Sequence, residues 1–266
     1  MEAASLVVCS SYDVVVGHDL LPQLPADLLK YVPASVYVVI TDDTVDDLYG
    51  EAIDAAFVTV LEEPADARMI KFAIPPGEGS KTRATKEQIE DWMLANGCDR
   101  SACVVAIGGG VVGDMAGFVA ATFMRGIRYV HVPTTLLAMV DSSVGGKTGV
   151  DTPAGKNLVG AFHRPQRVYT DLSFLQTLPE REFNNGMAEV IKAGAIFNDK
   201  LFEFLEHNQQ KVGLCVRACV RACVCVRVCA CVCVCAHALP CACVQKRVMH
   251  LLFSFHTLFS FLSQLH

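Results

Sequence analysis

The chain has 266 residues, 52% of them apolar, enough for one large domain or two modest ones around a buried core. Of its 22 Lys and Arg, six (Lys211, Arg217, Arg221, Arg227, Lys246, Arg247) follow residue 210, where there is no acid, so the body before them sets 16 bases against all 28 acids. An acidic body has no basic face for a phosphate backbone, which excludes nucleic acid as the main partner and leaves small metabolites.

In chain order, β-branched runs alternate with helix-like segments, the pattern of an α/β domain whose mostly parallel sheet is joined by crossover helices. YDVVVG, Tyr12 to Gly17, and SVYVVITDD, Ser35 to Asp43, read as strands with a helix after each. A further strand starts at Met69 and stops at Pro75-Pro76, because two prolines remove ladder donors. Thr82 then caps a helix to about Ala95, and Asn96-Gly97 stops it. SACVVAI, Ser101 to Ile107, is apolar throughout, as a strand buried on both faces must be.

That strand runs into GGGVVGDMAGFVAATFMRG, where Gly108, Gly110 and Gly113 satisfy G-x-G-x-x-G between strand and helix. Such glycines let the backbone approach a pyrophosphate at a helix N-terminus. Alternatively they only permit tight packing, and the acidic residue usual about 20 positions later is missing. Asp42 or Asp43, ending an earlier strand, can contact a ribose instead. In IRYVHVPTTLLAMVDSSVGGKTGVDTPAGKNLVGAFHRP, charged and amide groups recur among glycines, which suits a hairpin turning them toward an anionic ligand or a solvated hairpin. In LPEREFNNGMAEVIKAGAIFND, Glu189 and Lys192 share a helix face and read first as a surface ion pair.

The N-terminal MEAASLVVCSSYDVVVG has no basic region before its apolar residues, and residues 1–210 hold no run of about 20 apolar residues, so the body reads as cytoplasmic, with no membrane partner. Cys9, Cys98 and Cys103 are too scattered for a disulfide framework and are expected to be reduced.

With PGEGSKT, the glycine turn, VPTTLLAMVDSSVGGKTGVDTPAGKNLVGAFHRP and NNGMAEVIKAGAI, residues 12–205 resemble the N-terminal portion of 3-dehydroquinate synthase, in the form found in multifunctional arom polypeptides. Related sugar-phosphate cyclases and polyol dehydrogenases rank second. The resemblance implies a Rossmann-like fold and a reaction in which NAD transiently oxidises a hydroxyl of a heptulosonate phosphate. Phosphate elimination and aldol closure to dehydroquinate follow, with a divalent metal, usually zinc, as Lewis acid. It implies an NAD site from Asp42, Thr44, Glu78, Lys81, Gly109, Gly110, Asp114, Thr134, Thr135, Lys156 and Thr177. Arg125, Lys147 and Asn157 would hold the substrate phosphate, Arg125 reaching into the partner of a homodimer. Asp141 would meet ring hydroxyls, Lys192 the carboxylate, and Glu189 would be a metal ligand beside two histidines from a following helical domain.

The resemblance implies an NAD-binding domain over residues 1–178 and the start of the helical domain over 179–210. Past residue 210 the pattern is lost. From Cys215 to Ala236 every odd position is Cys or Arg and every even one Val or Ala, which an alternating pyrimidine-guanine tract read in frame would encode. Residues 211–266 are therefore expected to be an aberrant tail rather than a folded domain, with the helical domain missing and activity lost. Alternate thiols on an extended chain do not form a tetrahedral zinc site. His250, His256 and His266 lack the spacing of ligands, and Arg227, Pro240 and Lys246-Arg247 interrupt any membrane anchor.

Overall fold

A computed structural model describes residues 5–9, 12–61 and 67–208. The expectations for the Cys/Val tail fall outside them. The strands are β1 (Ser5–Cys9), β2 (Tyr12–Gly17), β3 (Val36–Asp42), β4 (Arg68–Ile74), β5 (Cys103–Gly108), β6 (Arg128–Pro133), β7 (Lys147–Thr152), β8 (Gly155–Phe162) and β9 (Arg167–Asp171). The α-helices are α1 (Leu24–Tyr31), α2 (Asp43–Leu61), α3 (Arg83–Ala95), α4 (Gly110–Thr122), α5 (Glu180–Phe197) and α6 (Asp199–His207).

Seven strands form one sheet in the order β1-β2-β9-β6-β5-β3-β4. Six run parallel and β1 pairs antiparallel on the edge of β2. The α/β expectation holds. The two-residue period of each strand divides its side chains between two helical layers. Tyr37, Val39, Cys103, Val105 and Ile107 face Leu24, Leu28, Ile53 and Phe57 of α1 and α2, in a layer that α5 and α6 share through Val190, Ile191 and Phe202. Val38, Ile40, Val104 and Ala106 face Ile89, Met93, Met115 and Val119 of α3 and α4. Each such aliphatic or aromatic side chain contributes about 1.5–3 kcal/mol by leaving water, which is why β5, and β3 up to its last residue Asp42, carry no charge. Cys98 and Cys103 are buried free thiols, and no helix among the described residues is long and apolar enough to cross a membrane.

α3 begins where the sequence places it, with Thr82 Oγ1 accepting from the Thr85 amide at 3.1 Å. Strands β7 and β8 form a separate hairpin over the outer side of α4. Contact is possible because Gly117 has no side chain: a Cβ there would stand 2.4 Å from Thr148 Cγ2. Helix α4 is thus enclosed by sheet and hairpin, which explains its apolar circumference.

Asp171, 2% exposed at the end of β9, closes the chain's start onto the sheet. Its Oδ2 accepts from the Leu20 amide at 2.7 Å and the Leu21 amide at 3.3 Å, and its Oδ1 from the Ser173 amide at 3.0 Å. Asp171→Ala orphans these donors, and the expected loss is about 2–3 kcal/mol by urea denaturation, against about 0.5 for a surface change.

Candidate functional site

The carboxyl ends of β3, β4, β5, β6 and β9 open on one edge of the sheet, where open parallel sheets bind ligands. Asp42 ends β3, and Glu78 and Lys81 lie in a 3₁₀ turn and its end after β4. Gly108 and Gly109 join β5 to α4, Thr134 and Thr135 follow β6, and Thr177 closes a 3₁₀ turn after β9. These residues, expected for the cofactor, therefore follow the carboxyl ends of strands on one edge of the sheet.

The glycines divide between the two roles left open. A Cβ on Gly109 would stand 3.1 Å from Thr135 Cγ2 and one on Gly110 3.1 Å from Ser142 Oγ, so these two line the mouth of the turn. Gly108 and Gly113 serve packing instead: their Cβ atoms would stand 2.6 Å from Val112 Cβ and 2.3 Å from His131 Cε1. Thr134 holds the turn by donating its amide to the Gly108 carbonyl at 3.0 Å, and Thr135 Oγ1 accepts from the Ala138 amide at 3.2 Å. The bare turn at the start of α4 fits a dinucleotide's pyrophosphate.

Lys81 is the hub of the charged wall. Its side chain is 4% exposed, and Nζ reaches Asp114 Oδ2 and Asn157 Oδ1, each at 2.5 Å. One lysine thereby ties the loop after β4 to α4 and to the hairpin. Asn157 has a positive φ of 57°, a conformation asparagine tolerates, and its amide donates to Asp151 Oδ1 at 2.8 Å. The Asp151 amide in turn donates to the Lys81 carbonyl at 2.8 Å. Asn157, expected on the substrate phosphate, thus stands with the expected cofactor residues. Desolvation pushes the Asp114 carboxyl up, and Lys81 opposes it. Asp42 is also raised, by desolvation first, although its Oδ1 accepts from the Val45 amide at 3.0 Å at the start of α2. Thr44 is exposed in that same first turn. Lys156 and Glu78 make a 3.4 Å pair, 70% and 45% exposed, which solvent screens to little. Thr177 Oγ1 shares a hydrogen bond of 2.5 Å with the Tyr49 hydroxyl.

A second group centres on Asp141, in a π-helical turn, Ala138–Ser142, of the kind found at functional sites. Desolvation and then the Glu189 carboxylate push Asp141 up, while Lys192 and Lys147 pull it down, so these four charges share one neighbourhood. Glu189 and Lys192 form the ion pair expected of their i, i+3 spacing on α5. Among the described residues no three His, Cys, Asp or Glu side chains could hold a metal ion together. They do not by themselves fit zinc, and Glu189 is a single candidate ligand. Arg125 stands apart: exposed at the far end of α4, it lies roughly 20 Å along the helix from Gly110.

Residues 71–185 match the family described as 3-dehydroquinate synthase N-terminal. The chain carries a 3-dehydroquinate synthase N-terminal domain. It is 52% identical over 196 residues to the pentafunctional AROM polypeptide of Schizosaccharomyces pombe, covering 73% of this chain and 12% of that polypeptide. The AROM polypeptide of Yarrowia lipolytica is 50% identical over 193 residues, 72% and 12% of the two chains. The chain therefore spans 12% of the length of these curated relatives. A 2-deoxy-scyllo-inosose synthase solved with carbaglucose-6-phosphate, NAD+ and Co2+ is 27% identical, with a TM-score of 0.68 over 83% of this chain and 61% of that one. The 2-epi-5-epi-valiolone synthase of Streptomyces hygroscopicus subsp. jinggangensis, solved with NAD+ and Zn2+, is 32% identical, with a TM-score of 0.66 over 84% and 62%.

Three members of the synthase-like site escape a reading of motifs. Asp151 positions Asn157, Ser142 Oγ faces Gly110 and is buried without a partner, and His131 lies beneath the turn. Only Asp151 carried a signal, as an acid between Lys147 and Lys156 in the sequence.

Proposed function

We propose that residues 12–205 form the NAD-handling part of a 3-dehydroquinate synthase, acting on a heptulosonate phosphate in the cytoplasm. The observation that carries this is the Lys81, Asp114 and Asn157 cluster beside a bare glycine turn at the carboxyl edge of a parallel sheet. NAD, when bound, would supply a reversible hydride acceptor for a substrate hydroxyl. Gly109, Gly110, Thr134 and Thr135 would receive its pyrophosphate, Asp42 and Thr44 its ribose side, and Glu78, Lys81, Asp114, Lys156 and Thr177 would close the walls. Asp141, with a raised carboxyl, would hold ring hydroxyls between Lys147 and Lys192. Lys147 and Asn157 would take the phosphate and Lys192 the carboxylate. Arg125, distant from these within one chain, would serve the site of the second copy in a homodimer.

In this reading residues 1–178 are the NAD domain and 179–210 open the helical one, and turnover needs metal ligands besides Glu189. Calorimetric titration of the whole chain with NAD, followed by a phosphate-release assay on the heptulosonate phosphate with zinc added, tests it. Binding of NAD with little or no phosphate release is the expected result. Absence of any NAD binding by a folded chain would sink the reading. A related sugar-phosphate cyclase is the second reading, supported by the two cyclases above. The higher identity to the AROM polypeptides favours the first.

A further inference from the structure

His131 belongs to none of the roles above, yet it occupies the most confined position in the site. It is 1% exposed on β6, and its ring fills the space where a Cβ on Gly113 would be, 2.3 Å from Cε1 and 2.6 Å from Nε2. The ring hydrogen-bonds the backbone of Gly108, while Nε2 has no hydrogen-bond partner. A neutral imidazole meets both facts: the other ring nitrogen donates to the Gly108 carbonyl, and Nε2 remains an acceptor only. On the same strand the Tyr129 hydroxyl donates to the Gly113 carbonyl at 3.3 Å. Gly108 and Gly113, the two ends of the turn, are therefore both held from β6.

We propose that His131 is a positioning residue of the cofactor turn: by holding the Gly108 carbonyl and seating Gly113, it fixes the direction of the amides that would meet the pyrophosphate. This rests on the NAD reading above. The titratable neighbour of the ring is Tyr129, with 6.0 Å between ring centroids, whose hydroxyl burial pushes far up. Burial holds the imidazole down to about 4 from an ordinary 6.5, against the opposing Gly108 bond. The neutral ring's contribution is therefore complete above pH 6.5 and lost as pH falls toward 4.

The test compares His131→Leu, which keeps volume, and His131→Gln, which keeps a donor, in the whole chain. The readouts are amide hydrogen exchange over residues 108–113 and NAD affinity. His131→Leu is expected to speed exchange in the turn about tenfold and weaken NAD about tenfold, what one lost hydrogen bond gives, with His131→Gln within about threefold of the parent. Parent-like exchange in a folded His131→Leu overturns the proposal, as does His131→Gln behaving like His131→Leu. If His131→Leu does not fold, His131→Gln decides: near-parent protection of residues 108–113 at neutral pH supports the proposal, and loss of that protection overturns it. A parent chain that binds no NAD removes the cofactor reading, and the exchange comparison still decides whether His131 holds the turn.

Discussion

Lys81→Met is expected to cost the fold about 3 kcal/mol, the lower end of the range for breaking a buried ion pair by removing one partner. The lower end applies because Asp114 is still 21% exposed and water can reach part of its carboxylate. Asn157 loses its ammonium partner in the same step, so the hairpin is left tied to the loop after β4 by the Asp151 amide on the Lys81 carbonyl and the exposed Lys156–Glu78 pair. The melting temperature should fall by about 6–12 °C for a body of this size. Desolvation already raises Asp114, and losing Lys81 raises it further, so the deficit should grow as pH rises through the carboxylate range. Adding Asp114→Asn removes the stranded charge and is expected to restore at least half of the loss. A variant that melts with the parent would show that the pair contributes nothing to the fold.

Gly186→Val is the second large effect. Gly186 lies on α5 against the turn that carries Asp141, and a Cβ there would stand 2.6 Å from both Leu136 Cβ and the Leu137 backbone nitrogen. Backbone cannot step aside as a flexible side chain can. Even alanine, favoured in a helix over glycine by about 1 kcal/mol, is expected to lose, since overpacking costs about 1–3 kcal/mol. Valine adds two methyl groups, and about 3 kcal/mol is expected by chemical denaturation. If valine were neutral, α5 would not approach this closely, and the grouping of Glu189 and Lys192 with Asp141 would fall with it.

β2, β3, β4 and β5 were legible as short runs rich in β-branched and apolar residues, β5 most plainly because burial on both faces leaves it wholly apolar. The Thr82 cap and the stop at Asn96-Gly97 were legible because they satisfy backbone groups within a few residues. β1, β6 and β9 were missed: β1 is a five-residue run with no alternation, and β6 and β9 break their apolar residues with Arg128 and His131 and with Arg167 and Asp171. Features that depend on partners far along the chain were not legible either. Spacing showed Gly108, Gly110 and Gly113 as one motif, while the structure sets Gly108 against Val112, Gly113 against His131 and Gly110 against Ser142. Asn157 shows the same limit: its bond to Lys81 spans 76 positions, and nothing local announces it.

An ammonium group carries three protons. Lys81 spends two, on Asp114 and Asn157, and keeps one. An anion arriving at that third proton would join a network already anchored in α4 and the hairpin, so a ligand at the glycine turn and a ligand on the hairpin would share one charged partner. Whatever factor the first contributes to the affinity of the second, the second must return to the first. The order in which the two ligands bind could then differ, but the balance between them could not.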